Sequence, residues 1–294
     1  MKIDKENDYV SYNDDAHKYW TKSGEDAISV TTLIDKFGNF DKDFWSSYKA
    51  LQALIGDTKF NKIKTGLQKA KMFDISILGD YNISIAEFEA QKRKTQNGWK
   101  KKADESCERG SAIHKNHETG SLNGIDPELK YLGFNQKDFS LVTDNKIQLT
   151  GNHIYPEVLL SYEYDGIWIA GQADKIISVN GEFTILDYKT NAKIDKTGFF
   201  DSAKHATTKM KYPLDTLEDC NFEHYEMQLS TYAYMIEKMG GKIKDMCLIH
   251  YDHSGKCTWL KCEYLRDLVI KMLNEHKRMI LNERFEEDNK PIVY

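Results

Sequence analysis

Asp174, Asp187 and Lys189 are the residues whose types and spacing suggest chemistry, within the stretch GQADKIISVNGEFTILDYKT at 171–190. Two carboxylates brought to one spot repel each other unless a cation lies between them, so the pair reads as a place for a positive ion. Lys189, two residues after Asp187, adds a fixed positive charge beside it. The triplet alone is unspecific, since acid-x-Lys recurs at Asp57/Lys59 and Asp144/Lys146 among others. Only Asp187/Lys189 ends a strand that follows, through a tight turn, another strand bearing an acid. A hairpin whose ends carry solvated charges would show the same letters, and the hairpin by itself leaves both readings open.

The elements that must position these groups are two strands and their turn. Asp174 closes the apolar run Ile167, Trp168, Ile169 and Ala170. Asn180-Gly181 suits a type I′ turn, whose two central residues both need positive φ. The return strand alternates Phe183, Ile185 and Asp187 on one face with Thr184, Leu186 and Tyr188 on the other.

At 294 residues the chain has ample material for a core, and 30% charged with 40% hydrophobic residues is ordinary for a soluble globular protein. No run approaches the ~18 apolar residues of a membrane span. MKIDKENDYV has no apolar core of a signal peptide. Five scattered cysteines, with no CxxC, suit a reducing compartment, so the expected location is the cytoplasm. The net charge of −5 gives no bulk attraction for nucleic acid. Locally, KRKTQNGWKKK at 92–102 surrounds Trp99 with Lys92, Arg93, Lys94 and Lys100 among its cations, and 193–211 adds further lysines, including Lys193 and Lys204. Such stripes track phosphates, with an aromatic ring available to stack on bases. A solvated helix face carries the same pattern.

Along the chain, YVSY and HKYW predict a small hairpin and ISVTTLI a short strand. Helical spacing runs from about 40 to 102, and a further helix is expected over 103–119. Strands follow at 156–164, 166–178 and 182–188. The stretch 190–222 lacks periodicity, which in a segment that long points to function or mobility. Then come a helix at 224–241 with a Gly-Gly stop, strands at 243–251 and 257–263, and an amphipathic helix at 264–283. This order predicts a mixed α/β core, with an α+β mixed sheet and an N-terminal helical addition. The division expected is 1–102 for the addition and 103–294 for the core, in one continuous globule.

Four pieces stand in order: RGSAIHKNHE with His114, GQAD with Asp174, ILDYKT with Asp187 and Lys189, and YEMQLSTY with Gln228 and Tyr232. With YPEVLL, they resemble the motifs of the PD-(D/E)xK nuclease superfamily, and within it the RecB-like and Cas4-like exonucleases of bacteriophage type. The likeness spans roughly 109–235. It implies a restriction-endonuclease-like core and a metal-dependent deoxyribonuclease, an exonuclease more than an endonuclease. By the same resemblance Asp174 and Asp187 ligate metal, joined by the backbone carbonyl of Tyr188, by His114 directly or through water, and by Glu157 nearby. Glu118 is a further candidate.

One or two Mg²⁺ or Mn²⁺ ions suit such oxygen donors, and the imidazole favours Mn²⁺. Lys189 is expected to orient the attacking water and stabilise developing charge, its pKa falling beside a cation but rising beside carboxylates. Gln228 and Tyr232, four apart, share a helix face beside the site. Lys92, Arg93, Lys94, Trp99, Lys100, Thr190, Lys193 and Lys204 are the expected DNA contacts. The cysteines that hold an iron–sulfur cluster in Cas4-like relatives are missing. Implied partners are DNA ends or single strands, with recombination or replication proteins, in the host cytoplasm if the chain is phage-encoded. Alternatives are a structure-specific endonuclease on the same fold and a catalytically silent DNA-binding module.

Overall fold

A computed structural model describes residues 2–70, 72–201 and 204–288. The chain opens with the antiparallel strands β1 (Lys5–Glu6), β2 (Val10–Asn13) and β3 (Lys18–Thr21), then β4 (Asp26–Ser29). Here the expected strand ISVTTLI stops early. Val30–Asp35 forms helix α1, because the Ser29 hydroxyl accepts from the Thr32 backbone N–H and caps its first turn. The β-branched residues favoured a strand; the cap and the burial of Val30, Leu33 and Ile34 override them.

Next come α2 (Lys42–Ile55), α3 (Asp57–Phe60), α4 (Lys64–Ala70) and α5 (Ile77–Asp80). They share a core of Phe44, Tyr48, Leu51, Phe60, Leu67 and Leu78, closed by Phe88 from the next helix. That helix, α6 (Ile85–Leu122), is continuous over 38 residues, whereas a separate helix over 103–119 was expected. Ser84 caps it by accepting from Glu87 N–H, and no proline interrupts it. Gly98 and Gly110 cost only about 1 kcal/mol each relative to alanine, which packing against α2 and the sheet outweighs. Residues 102 and 103, where the sequence division falls, both lie inside α6.

After α7 (Pro127–Tyr131) and β5 (Ser140–Leu141), the centre is built from β6 (Asn152–Tyr164), β7 (Ile167–Val179) and β8 (Glu182–Lys189). The expected type I′ turn joins β7 to β8, with φ +49° at Asn180 and +82° at Gly181. The segment 190–222 carries the short pair β9 (Phe200–Asp201) and β10 (Ala206–Thr207). Helix α8 (Asn221–Lys238), β11 (Lys242–Tyr251), β12 (Cys257–Cys262) and α9 (Arg266–Asp288) complete the chain.

Ten strands form one mixed sheet in the order β1-β2-β3-β4-β7-β8-β11-β12, with β6 and β5 branching from β7. The α/β class expected from the sequence is therefore the observed one. On β8, Phe183 and Ile185 enter the main core beneath α1, α8 and α9, while Leu186 and Tyr188 enter a second core on the other face. Among the described residues no helix is long and apolar enough to cross a membrane.

The forking of β7 and β8 shapes everything that follows. Their antiparallel pairing runs from Val179↔Glu182 only to Lys175↔Leu186. Beyond it β8 stays paired with β11 through Lys189↔His250, while β7 instead meets β4 at Ile169 and Ala170. Asp174 and residues 187–189 face this opening.

Candidate metal centre

At the fork the Tyr188 N–H has no strand partner on β7. The Asp174 carboxylate takes that role, its Oδ2 accepting from Tyr188 N at 2.7 Å. This pins the acid in place and leaves Oδ1 directed at His114, 3.3 Å from Nδ1. Helix α6 delivers His114 across the sheet, and its Nε2 donates to the Tyr188 carbonyl at 3.2 Å. Glu157 completes the group from β6, with Oε1 3.6 Å from His114 Nδ1. It lies opposite Asp174, between the pairs Pro156↔Lys175 and Val158↔Ala173. Its φ of +49° is a left-handed conformation inside a strand. A non-glycine residue there signals local strain held by its surroundings. Those surroundings are the Gln172 amide, which donates to Glu157 Oε2, and Lys5, whose ammonium donates to the Glu157 carbonyl at 3.1 Å.

His114, Glu157 and Asp174 offer donor atoms all within 4.8 Å of one another, the one such group among the described residues. Burial pulls the His114 imidazole toward neutrality, but Asp174 and Glu157 beside it prevail and push its pKa up to about 11. The carboxylates thus demand positive charge. Either a proton on His114 or a bound cation meets that demand.

Asp187 lies beside this group rather than within it. It is fully buried; its Oδ1 accepts from the Gln228 amide at 3.2 Å, and its Oδ2 lies 2.7 Å from Lys189 Nζ. Despite that ion pair, Oδ2 has no partner in hydrogen-bonding geometry. Burial drives the Asp187 carboxyl up to about 6; Lys189 opposes the shift and Asp174 adds to it. Burial also favours a neutral Lys189, yet Asp187 and Asp174 overcome it and hold the ammonium above its usual range. Of the two opposing influences expected on Lys189, the one these residues display is that of the carboxylates: two acids outweigh desolvation.

Lys189 also donates to Gln228 Oε1 at 3.3 Å and rests 4.3 Å from the centre of the Tyr225 ring. Gln228 Nε2 lies 3.3 Å from the Tyr232 hydroxyl, which donates to the Gln172 carbonyl at 3.0 Å. Tyr232 can reach β7 only because residue 171 is glycine, where a Cβ would stand 2.7 Å from the tyrosine ring. Helix α8 thus ties Asp187 and Lys189 to the strand that carries Asp174. Tyr225 was not singled out from the sequence, although Tyr225, Gln228 and Tyr232 form an i, i+3, i+7 stripe.

A second network also escaped the sequence reading. Lys175, 0% exposed, pairs with Asp126 Oδ1 at 2.7 Å and Glu128 Oε2 at 2.8 Å. Glu128 Oε1 accepts from the Tyr188 hydroxyl at 3.0 Å and lies 3.1 Å from His117 Nδ1. The His117 ring stacks on Tyr188 with centroids 3.9 Å apart. Burial raises the carboxyl of Glu128, but His117 and Lys175 overcome it and lower the pKa to about 2.

The remaining expected residues lie elsewhere. Glu118 faces Lys115 at 3.0 Å and stands outside the metal group. Thr190, directly after β8, faces Gly110 of α6, with 3.6 Å between its Oγ1 and a Cβ built there. On the amino-terminal half of α6, Arg93, Lys94 and Lys100 are exposed, Lys92 pairs with Asp43 at 2.7 Å, and Trp99 packs 6.0 Å from Phe40. Lys193 pairs with Asp195, and Lys204 is exposed before β10. Lys100 is 14 residues before His114 on the helix, or about 21 Å along its axis.

No family model and no curated protein matches the sequence. Among solved structures, the chain is similar to a candidate exonuclease from Eubacterium rectale, at 12% identity over 91% of this chain and 90% of that one, with a TM-score of 0.35. It is also similar to the protein SSO0001, at 20% identity over 43% of this chain, with a TM-score of 0.27. The chain spans half the length of SSO0001.

Proposed function

We propose that this chain is a metal-dependent DNA nuclease, an exonuclease of the PD-(D/E)xK type resembling RecB-like and Cas4-like phage enzymes. The single observation that carries the reading is the convergence of His114, Glu157 and Asp174 next to the buried Asp187–Lys189 pair. The donor set fits a hard divalent ion with some nitrogen tolerance. It offers two carboxylates, an imidazole and the Tyr188 carbonyl, with the unbonded Asp187 Oδ2 adjacent. These residues would hold Mg²⁺ or Mn²⁺, which when bound would supply the acidification of an attacking water at neutral pH.

The protein's own groups supply the rest. Asp187 and Asp174 favour the ammonium form of Lys189, which suits it to place a phosphate oxygen and stabilise the charge that builds on it. Gln228 fixes Lys189 and Asp187 relative to each other through one amide. Tyr232 fixes Gln228 in turn. The substrate in this reading is a DNA end, gripped along α6 at 92–100 and by Thr190, Lys193 and Lys204.

The test follows product lengths from end-labelled linear DNA with Mg²⁺ or Mn²⁺, beside a closed circle. Progressive shortening of the linear DNA with the circle intact is expected. Cutting of the circle would instead establish an endonuclease. Lys189→Ala should lower the rate per folded molecule by about 10²–10³-fold, with the folded fraction read by circular dichroism and DNA binding near wild type. Unchanged cleavage by that variant would remove the assignment of Lys189, and failure to bind Mn²⁺ in calorimetry would leave only a silent module.

A further inference from the structure

A groove away from the metal centre carries two exposed rings, Phe40 and Phe199, that the catalytic reading does not use. One cavity of 940 Å³ lies between the start of α2 and the β9–β10 pair, and a second of 380 Å³ continues toward Trp99 on α6. Both are lined by Phe40, Trp45 and Phe199. Phe40 is 66% and Phe199 54% exposed, which is unusual for rings with no burial to gain. Each has an aromatic neighbour: Trp99 at 6.0 Å from Phe40, and Trp45 edge-on at 4.9 Å from Phe199.

Charge in the groove is positive where it is unspent. Of its acids, Asp41 caps α2 by accepting from Phe44 N–H, Asp43 pairs with Lys92, and Asp201 is buried. Lys209 pairs with Glu218. Lys42, Lys204 and Lys211 line the same cavity and form no ion pair among the described residues. The wall is anchored to the rest of the molecule. Lys211 N–H donates to the Phe37 carbonyl at 2.7 Å, and Asn39 N–H donates to Asp219 at 2.8 Å.

We propose that this groove binds a single strand of nucleic acid, its bases on Phe40 and Phe199 and its phosphates near Lys42, Lys204 and Lys211. Exposed ring faces select unpaired bases, because a duplex buries its own base faces, and unpaired lysines supply the sequence-independent attraction to phosphate. An apolar protein segment would use the rings but leave three lysines without counterparts. Trp99 and His114 share α6 fifteen residues apart, about 22 Å along its axis. A strand seated in the groove and reaching the metal centre therefore spans several nucleotides. That last step rests on the nuclease reading; affinity of the groove for single strands does not.

The experiment measures anisotropy of fluorescein-labelled dT12, and of the dT12·dA12 duplex, with the full chain in EDTA, where nothing is cut. Wild type is expected to prefer dT12. The variant Phe40→Ala/Phe199→Ala is expected to bind dT12 roughly tenfold or more weakly while its duplex affinity is unchanged. Lys42→Gln/Lys204→Gln should flatten the dependence of log affinity on log salt by about 1–2. Both rings are more than half exposed, so these variants should keep the wild-type circular dichroism. In wild type, dT12 should also quench fluorescence of Trp45 and Trp99. Equal dT12 affinity in wild type and the ring variant, or no preference for dT12 over duplex, overturns the proposal and points to a protein segment instead. If the ring effect holds but DNA is never degraded with Mn²⁺, the groove stands and the nuclease reading falls. Degradation that ignores the ring variant sinks only the groove.

Discussion

His114 and His117, one turn apart on α6, reach two charged clusters built from the same residue types but with opposite balance. Around His117 every carboxylate oxygen has a donor. Asp126 accepts from Ser121, Lys175 and Gln136; Glu128 accepts from Tyr188 and Lys175 and faces His117. Around His114, three acids face two lysines: Lys189 lies against Asp187, Lys5 stands 4.0 Å from Glu157, and Asp187 Oδ2 has no hydrogen bond. A closed buried network holds elements together. An open one, acidic in excess, stores a demand for cations. Shifted ionisation alone does not separate structural from functional clusters, since both sites shift their groups. The direction does: Glu128 is held down to about 2, while Asp187 is pushed up to about 6.

Removing one charge from each cluster is the strongest way to break this comparison. Lys175→Met leaves Asp126 and Glu128 buried without their cation, and should cost about 3–5 kcal/mol of folding stability in urea denaturation. Asp187→Asn removes a charge that burial opposes, and should stay within about 1 kcal/mol of wild type while impairing divalent binding. Equal losses in the two variants would mean that the clusters do the same structural job.

Cation binding gives a smaller but more selective contrast. Mn²⁺ at roughly 100 times its Kd should stabilise wild type by about 2.7 kcal/mol through mass action. Asp174→Ala should lose that gain. His117→Gln, whatever its own starting stability, should keep it. Titrating Mn²⁺ during urea unfolding of all three proteins checks the pattern.

His224 calibrates what paired carboxylates do to an imidazole outside any metal group. Its Nε2 lies 2.8 Å from Asp219 and its Nδ1 3.7 Å from Asp35; the hydrogen bond to Asp219 and the nearby Asp35 carboxylate outweigh burial and raise its pKa to about 9. A folded pKa above the unfolded value, near 6.5, contributes stability that is fully present below about pH 6.5 and disappears as pH rises through about 9. Partial exposure limits the contribution to the order of 1–2 kcal/mol. His224→Gln should therefore flatten the stability profile between pH 7 and 9.5, and a slope unchanged by the substitution would contradict the assignment.

What was legible in the sequence was mostly local. The β7–β8 hairpin follows from Asn180-Gly181 and alternation, and the α8 stripe from residues four apart. Glu157 was reached only through the resemblance of YPEVLL; its left-handed φ, which sets it opposite Asp174, leaves no mark on periodicity. Lys175 reads as an exposed strand residue. Its partners are 49 and 47 positions away on another element, and no local pattern pairs them. The length of α6 was missed because its middle is polar on every side, which hides a helix held by its two ends. The aromatic groove joins Phe40 to Phe199 across the chain, beyond the reach of any window.

Tyr188 connects the two clusters and provides the finest test of their independence. Its carbonyl accepts from His114 in the open cluster, while its hydroxyl donates to Glu128 in the closed one. Tyr188→Phe removes only the hydroxyl. The backbone stays in place through β8–β11 pairing at Tyr188↔Ile249 and through the bond from Tyr188 N–H to Asp174. Glu128 retains Lys175 and His117, so the loss should be that of one hydrogen bond, about 1 kcal/mol in urea denaturation. Mn²⁺ affinity measured by calorimetry should change less than about twofold, because no oxygen facing His114 has been altered. A tenfold loss would show that the closed network sets the geometry of the open one, and that the two faces of β8 work as a single unit.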